Sequence, residues 1–174
     1  TQFIFTANPE DYTNRGSIVS PLKDRIGSQI LTHYPHNRFI AKKITKQESK
    51  KAILKSNNIH IPELAFDILE QIGFEARKSD YIDSKSGVSA RMSITSFENL
   101  VSCAERRALI NNDDKTFIRL TDFSGVISSI NGKVELVYEG EQEGAEQISY
   151  YLISQAIKTI FPEIRLIKNT KFIS

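Results

Sequence analysis

Apolar positions recur with a helical period over two long stretches of the chain and with no sustained period over most of the rest. Ala65, Ile68, Leu69, Ile72 and Ala76 fall at i, i+3, i+4, i+7 and i+11 behind Pro62, which suits a first helical turn. This spacing predicts an amphipathic helix with one buried stripe. Phe97, Leu100, Val101, Ala104 and Ala108 repeat the pattern behind Thr95 and Glu98, a T-x-x-E capping box, so a second helix is expected to begin at Thr95. A polar loop joins the two, and they should pack on each other. Residues 37–55 also favour helix, but Phe39, Ile40, Ile44, Ile53 and Leu54 leave the middle polar, as in a partly exposed connecting helix. A short helix is expected around 122–130 and a final one over about 145–161, stopped by Pro162.

Strand signals are few and short. Residues 2–6 form an apolar run that ends in Ala7-Asn8-Pro9-Glu10-Asp11, which predicts a buried strand followed by a loop. Residues 18–26 resemble a short helix closed by Gly27 in a left-handed conformation, and 29–34 a second strand bounded by Gly27 and Pro35. Between Gly132 and Tyr138 the alternation of Val134, Leu136 and Tyr138 permits a strand, and a short helix fits equally. The fold class expected is mainly α with short β-strands. No internal repeat or low-complexity linker interrupts it.

Composition narrows the partners more than it names them. With 40% hydrophobic residues in 174, the chain can bury a core, and a net charge of +2 gives neither a nucleic-acid footprint nor a disordered polyelectrolyte. Lys42, Lys43, Lys46, Lys50, Lys51 and Lys55 lack the interleaved aromatics of a nucleic-acid surface and read as a solvated face. No apolar run is long enough to span a bilayer, so no membrane partner is expected. The lone Cys103 cannot form an internal disulfide and reads as a packed thiol in a reducing, cytoplasmic setting. His33, His36 and His60 have no ligand partners at metal-binding spacing, and the acidic residues from Glu135 to Glu146 read as an exposed loop or as a contact for a partner or a cation. The start at Thr1, without Met and directly on a strand-like run, is expected of a truncated chain.

Three polar positions carry candidate chemistry. Asn8 follows a strand, at the edge where open parallel sheets bind ligands and an amide can orient water against a phosphate; Asn-Pro can also simply end a strand. Arg25, in the last turn of a helix within Pro21-Leu22-Lys23-Asp24-Arg25-Ile26-Gly27, can project a guanidinium toward a phosphoryl group of a neighbouring subunit, or can answer the helix dipole. Arg91, in Gly87-Val88-Ser89-Ala90-Arg91, lies just before a helix, where the dipole offers a cation nothing. It is either a phosphate ligand or a solvated side chain.

As a set, these residues resemble a known family. Thr6-Ala7-Asn8-Pro9-Glu10-Asp11, Gly16, Pro21-Leu22-Lys23-Asp24-Arg25-Ile26-Gly27 and Thr32-His33-Tyr34-Pro35 are similar, in order, to the sensor-one strand and arginine-finger helix of magnesium chelatase ATPase subunits and MoxR-like AAA+ proteins. The resemblance continues through Gly87-Val88-Ser89-Ala90-Arg91, like the family's sensor-two motif, and through Glu105-Arg106-Arg107-Ala108. It extends to the stretch from Gly132 to Glu141, similar to a segment after the lid in a chelatase-like bacterial subgroup.

The resemblance implies that Asn8 is sensor one, Arg25 the arginine finger with Arg15 ranked below it, and Arg91 sensor two. It implies three parts: the end of a nucleotide-binding core over 1–36, a helical lid over 37–111 and an α-rich extension over 112–174. ATP and magnesium would serve the parent protein, built as a hexameric ring acting on a client protein. The chain has no G-x-x-x-x-G-K-[ST] loop, and the acidic strand end that holds magnesium is also missing. By the resemblance both lie upstream, so this piece is not expected to bind nucleotide tightly or hydrolyse ATP alone. The competing reading is a nucleotide-independent helical module that binds a protein through the acidic stretch and the final helix.

Overall fold

The computed structural model describes residues 2–6, 24–49, 58–84 and 86–170, with the side chains of 163–170 excepted. The chain divides into two compact units, Thr1–His33 and Tyr34–Ser174.

In the smaller unit, residues 24–25 are helical, while 2–6 and 26–33 carry no regular hydrogen-bonded structure. The expected strands over 2–6 and 29–34 are therefore not formed. A strand is stable only with a neighbour for its backbone and a face for its side chains, and no strand pairs with either segment among the described residues. Phe3, Ile4, Phe5, Ile30 and Leu31 stay exposed rather than buried, and the Phe3 and Phe5 rings stack on each other at 6.3 Å. Gly27 does not take the left-handed backbone expected of a helix-closing glycine.

The larger unit is mainly helical. It begins with α1 (Arg38–Glu48), capped by Asn37, whose side-chain oxygen accepts from the Ile40 amide at 2.9 Å. Its buried positions are Ala41 and Thr45, four residues apart on one face, and Phe39 and Ile40 point to solvent. Strand β1 (Ile59–His60) leads into α2 (Glu63–Lys78), which Pro62 precedes as the capping residue. All five positions of the expected α2 stripe are buried.

Helix α3 (Ala90–Asn111) starts five residues before Thr95, counting from the helix's first residue, Ala90. The T-x-x-E pattern therefore lies inside the helix and caps nothing. Ser89 holds the N-cap position: its hydroxyl accepts from the Arg91 amide at 3.1 Å. At the other end Asn112 closes α3 with a left-handed backbone (φ 57°), a conformation asparagine tolerates. Strand β2 (Thr116–Phe117) pairs parallel with β1, Ile59 opposite Thr116 and His60 opposite Phe117.

A 3₁₀ helix (Leu120–Val126) runs into α4 (Ile127–Asn131), as the sequence predicts for this stretch. It lies so close to α3 that a Cβ on Gly125 would run into the Cys103 Sγ, which makes Cys103 a packing thiol. The stretch after Gly132 is split between the two expected alternatives. Leu136 makes one antiparallel bridge to Ile82, and α5 (Tyr138–Glu143) follows. Gly140 permits this docking, because a Cβ there would sit 2.6 Å from the Tyr81 carbonyl oxygen.

The last helix, α6 (Ala145–Thr170), continues through Pro162 instead of stopping there. Proline removes one helical bond, the one to the Lys158 carbonyl. Both residues are exposed, so water can take that acceptor.

Residues from α2, α3, the 3₁₀ helix, α4 and α6 form one hydrophobic cluster around Leu69, Ile72, Phe97, Leu100, Ile130 and Leu152. Phe66 and Phe97 stack at 5.0 Å between α2 and α3. The lid and extension segments expected from the sequence thus contribute to a common core.

Candidate functional site

The loop between α2 and α3 brings together parts of two sequence motifs. Gly87 has φ +67°, a left-handed conformation open mainly to glycine, and a Cβ there would collide with the Tyr34 hydroxyl. The next residue, Val88, is 1% exposed and anchors the loop in the core. Ser89 then caps α3, and Met92 donates to its carbonyl at 3.0 Å. This local structure places Arg91 in the first turn of α3, exposed to solvent. A cation there is disfavoured by the helix dipole by roughly 0.3–1 kcal/mol. An anion docked at this end reverses that balance, since both the guanidinium and the dipole favour it.

Arg77, in the last turn of α2, holds the loop from beneath. Its Nε donates to the Val88 carbonyl at 3.1 Å, and its guanidinium lies 4.8 Å from the centre of the Tyr34 ring and 5.4 Å from that of Phe74. Burial pulls the Arg77 guanidinium below its ordinary pKa, against the opposing influence of Tyr34 and of Glu70.

Glu70 lies one level deeper and is 4% exposed. Its two carboxyl oxygens accept from hydroxyls on the two flanking helices, Thr45 Oγ1 of α1 at 2.5 Å and Ser93 Oγ of α3 at 3.0 Å. Burial raises its pKa above the ordinary value of 4.5, opposed by those two bonds and more weakly by Arg77 and Lys42. An acid with a raised folded-state pKa contributes stability that is present below 4.5 and lost as pH rises through the folded value. Replacing Glu70 with Gln keeps the shape: the amide oxygen accepts from Thr45 and the amide nitrogen donates to the Ser93 oxygen. Glu70→Gln is expected to raise the thermal midpoint at pH 7 and to flatten its decline with rising pH, measured by circular dichroism across pH 4 to 8. A variant less stable than the wild type at pH 7 would show that the charged carboxylate is the favoured form.

Of the residues singled out in the sequence, Asn8 and Arg15 lie outside the described residues. Arg25 is exposed on the short helical segment of the smaller unit, and Arg91 belongs to the larger unit. The lysine face is largely occupied within the chain. Lys42 pairs with Asp67 at 2.6 Å and with Glu63 at 3.8 Å, Lys46 bonds to Glu63, and Lys43 lies 4.3 Å from the Phe39 ring centre. Lys50, Lys51 and Lys55 lie outside the described residues.

Sequence reasoning missed Arg77, Glu70 and the pairing of Arg107 with Asp122. Arg107 Nε and Nη2 grip the Asp122 carboxylate at 3.0 and 2.9 Å, while Nη1 donates to Thr116 Oγ1 at 2.9 Å and Nη2 to the Phe117 carbonyl at 2.8 Å. One guanidinium therefore ties α3 to β2 and to the 3₁₀ helix. Within Glu105-Arg106-Arg107-Ala108, Arg107 is turned inward and Arg106 is exposed.

Among the described residues no group of His, Cys, Asp and Glu is arranged to hold a metal ion, and no helix is long and apolar enough to cross a membrane. Comparison with protein-family models, with curated proteins and with solved structures finds no match to this chain.

Proposed function

We propose that this chain is the C-terminal portion of a magnesium chelatase-like AAA+ ATPase, supplying sensor and arginine-finger residues to a ring of subunits. In this reading, residues 1–36 end the nucleotide-binding core, 37–111 form the lid and 112–174 the extension. ATP and magnesium are held by a phosphate loop and an acidic strand upstream in the parent protein. Asn8 and Arg91 read the phosphates within their own subunit, and Arg25 reaches the neighbour's nucleotide. The partners are other copies in a hexameric ring and a client protein in the cytoplasm.

The observation that supports the reading best is Arg91. It is an exposed guanidinium in the first turn of a long helix, behind a serine cap and a left-handed glycine, where the helix by itself gives a cation no benefit. A phosphate ligand at that end would supply a counter-charge.

The test uses the parent protein with its phosphate loop. Arg91→Ala is expected to weaken ATP binding roughly tenfold, the loss of one charge-assisted contact, with the thermal midpoint of the nucleotide-free protein not lowered, because the side chain is exposed and the helix dipole disfavours a cation there. Fluorescent-nucleotide titration reads the first and calorimetry the second. Equal ATP affinity in variant and wild type would reject Arg91 as a phosphate ligand.

A further inference from the structure

We propose that Arg77 is the positioning residue for Arg91, joining the chain at Tyr34 to the loop that starts α3, so that a displacement at Tyr34 reaches Arg91. The inference deepens the proposed function, on which its enzymatic part rests, by naming what sets Arg91.

Tyr34 is the first residue of the larger unit, where the chain arrives from the smaller one. Its ring lies against the Arg77 guanidinium at 4.8 Å and its hydroxyl lies where a Gly87 side chain would be. The same guanidinium donates to the Val88 carbonyl at 3.1 Å. Three residues beyond Val88 is Arg91, whose own amide is fixed by the Ser89 cap. On the same helix, Glu70 has both carboxyl oxygens held by α1 and α3, which fixes α2 against its two neighbours. One planar cation thus bonds the loop through its edge and the arriving chain through its face, two contacts a lysine cannot make together. The left-handed Gly87 closes the arrangement, because a side chain there would part the loop from Tyr34.

Two measurements test this. In the 174-residue chain, amide hydrogen exchange of Arg91 and Met92, both bonded to Ser89, reports the start of α3. Tyr34→Ala is expected to speed their exchange roughly tenfold, the scale of a partly desolvated cation–π contact, while Leu100 to Ala108 keep their protection. Tyr34→Phe, which retains the ring, restores slow exchange. Unchanged exchange in Tyr34→Ala overturns the inference whatever the enzyme does.

In the ATPase-competent parent, Arg77→Met is expected to weaken ATP binding as Arg91→Ala does, and the double variant to be no weaker than Arg91→Ala alone. Independent, multiplicative losses would mean that Arg77 does not act through Arg91. Should Arg91→Ala leave ATP affinity intact while the exchange result holds, the phosphate-sensing reading fails and the Tyr34–Arg77 connection stands.

Discussion

Replacing Arg107 with Met is expected to cost the larger unit about 3 kcal/mol, the scale of a buried ion pair deprived of one member. Asp122 is 4% exposed and belongs to the first turn of the 3₁₀ helix. Burial pushes its carboxyl up, but the Arg107 bonds and the Arg119 amide, which donates at 2.8 Å, outweigh this and hold it below the ordinary 3.8. A carboxylate with a depressed folded-state pKa contributes stability that is present above 3.8 and lost as pH falls through the folded value. In Arg107→Met the buried charge remains without its partner, so the deficit is largest at neutral pH and shrinks as Asp122 takes up a proton.

The reverse change costs less. Asp122→Asn leaves Arg107 its bonds to Thr116 and the Phe117 carbonyl and some access to water, so about 1 kcal/mol is expected. Urea unfolding followed by circular dichroism at pH 7 and pH 4 distinguishes the two variants. Equal losses, or an Arg107→Met deficit that grows in acid, would contradict the assignment of Asp122 as the dependent partner.

Under the proposed function, Arg25→Ala leaves ATP binding intact and lowers turnover by roughly a thousandfold, the lower end of what an arginine finger supplies. That corresponds to about 4 kcal/mol of transition-state stabilisation. Arg25 is exposed on its helical segment, where a side chain can reach outside its own subunit. Mixing supplies the decisive arm. Subunits with Arg25→Ala, combined with subunits whose phosphate-loop lysine is removed, regain activity at interfaces that pair an intact finger with an intact loop. Neither parent shows it alone. Turnover within about threefold of wild type, or no recovery on mixing, would remove Arg25 from the reaction.

The helices that pack on several neighbours were the legible part of the fold. The stripes over Ala65 to Ala76 and Phe97 to Ala108 are buried as their spacing predicts. Boundaries were less legible, because the true cap at Ser89 has no glutamate three residues on, whereas Thr95 and Glu98 mimic a capping box inside the helix. Pro162 misled in the opposite direction: its lost bond falls on an exposed face, so α6 continues. The strands expected at 2–6 and 29–34 depended on pairing partners that local pattern does not reveal.

At the candidate site, the sequence singles out Arg91 as a candidate but gives no sign of Glu70 or Arg77. Both look like ordinary polar-face residues of an amphipathic helix. They are enclosed because α2 is packed by α1, α3 and α6 together, a tertiary fact with no local signature. Arg107 was noticed only as part of a charged run, since its partner Asp122 lies 15 positions away.

The packing of α6 along α2 also sets an order of events during synthesis. Thr159 Oγ1 donates to Glu75 Oε1 across 84 positions of sequence, and Ile148, Leu152, Ala156 and Ile160 enter the same cluster as Leu69 and Ile72. Such long-range pairs form only after the intervening loop has closed. On the ribosome, the part of the α2 stripe that α6 covers therefore waits until the chain has grown by some 84 positions, and the nascent chain is exposed to chaperones and to misassociation throughout that interval.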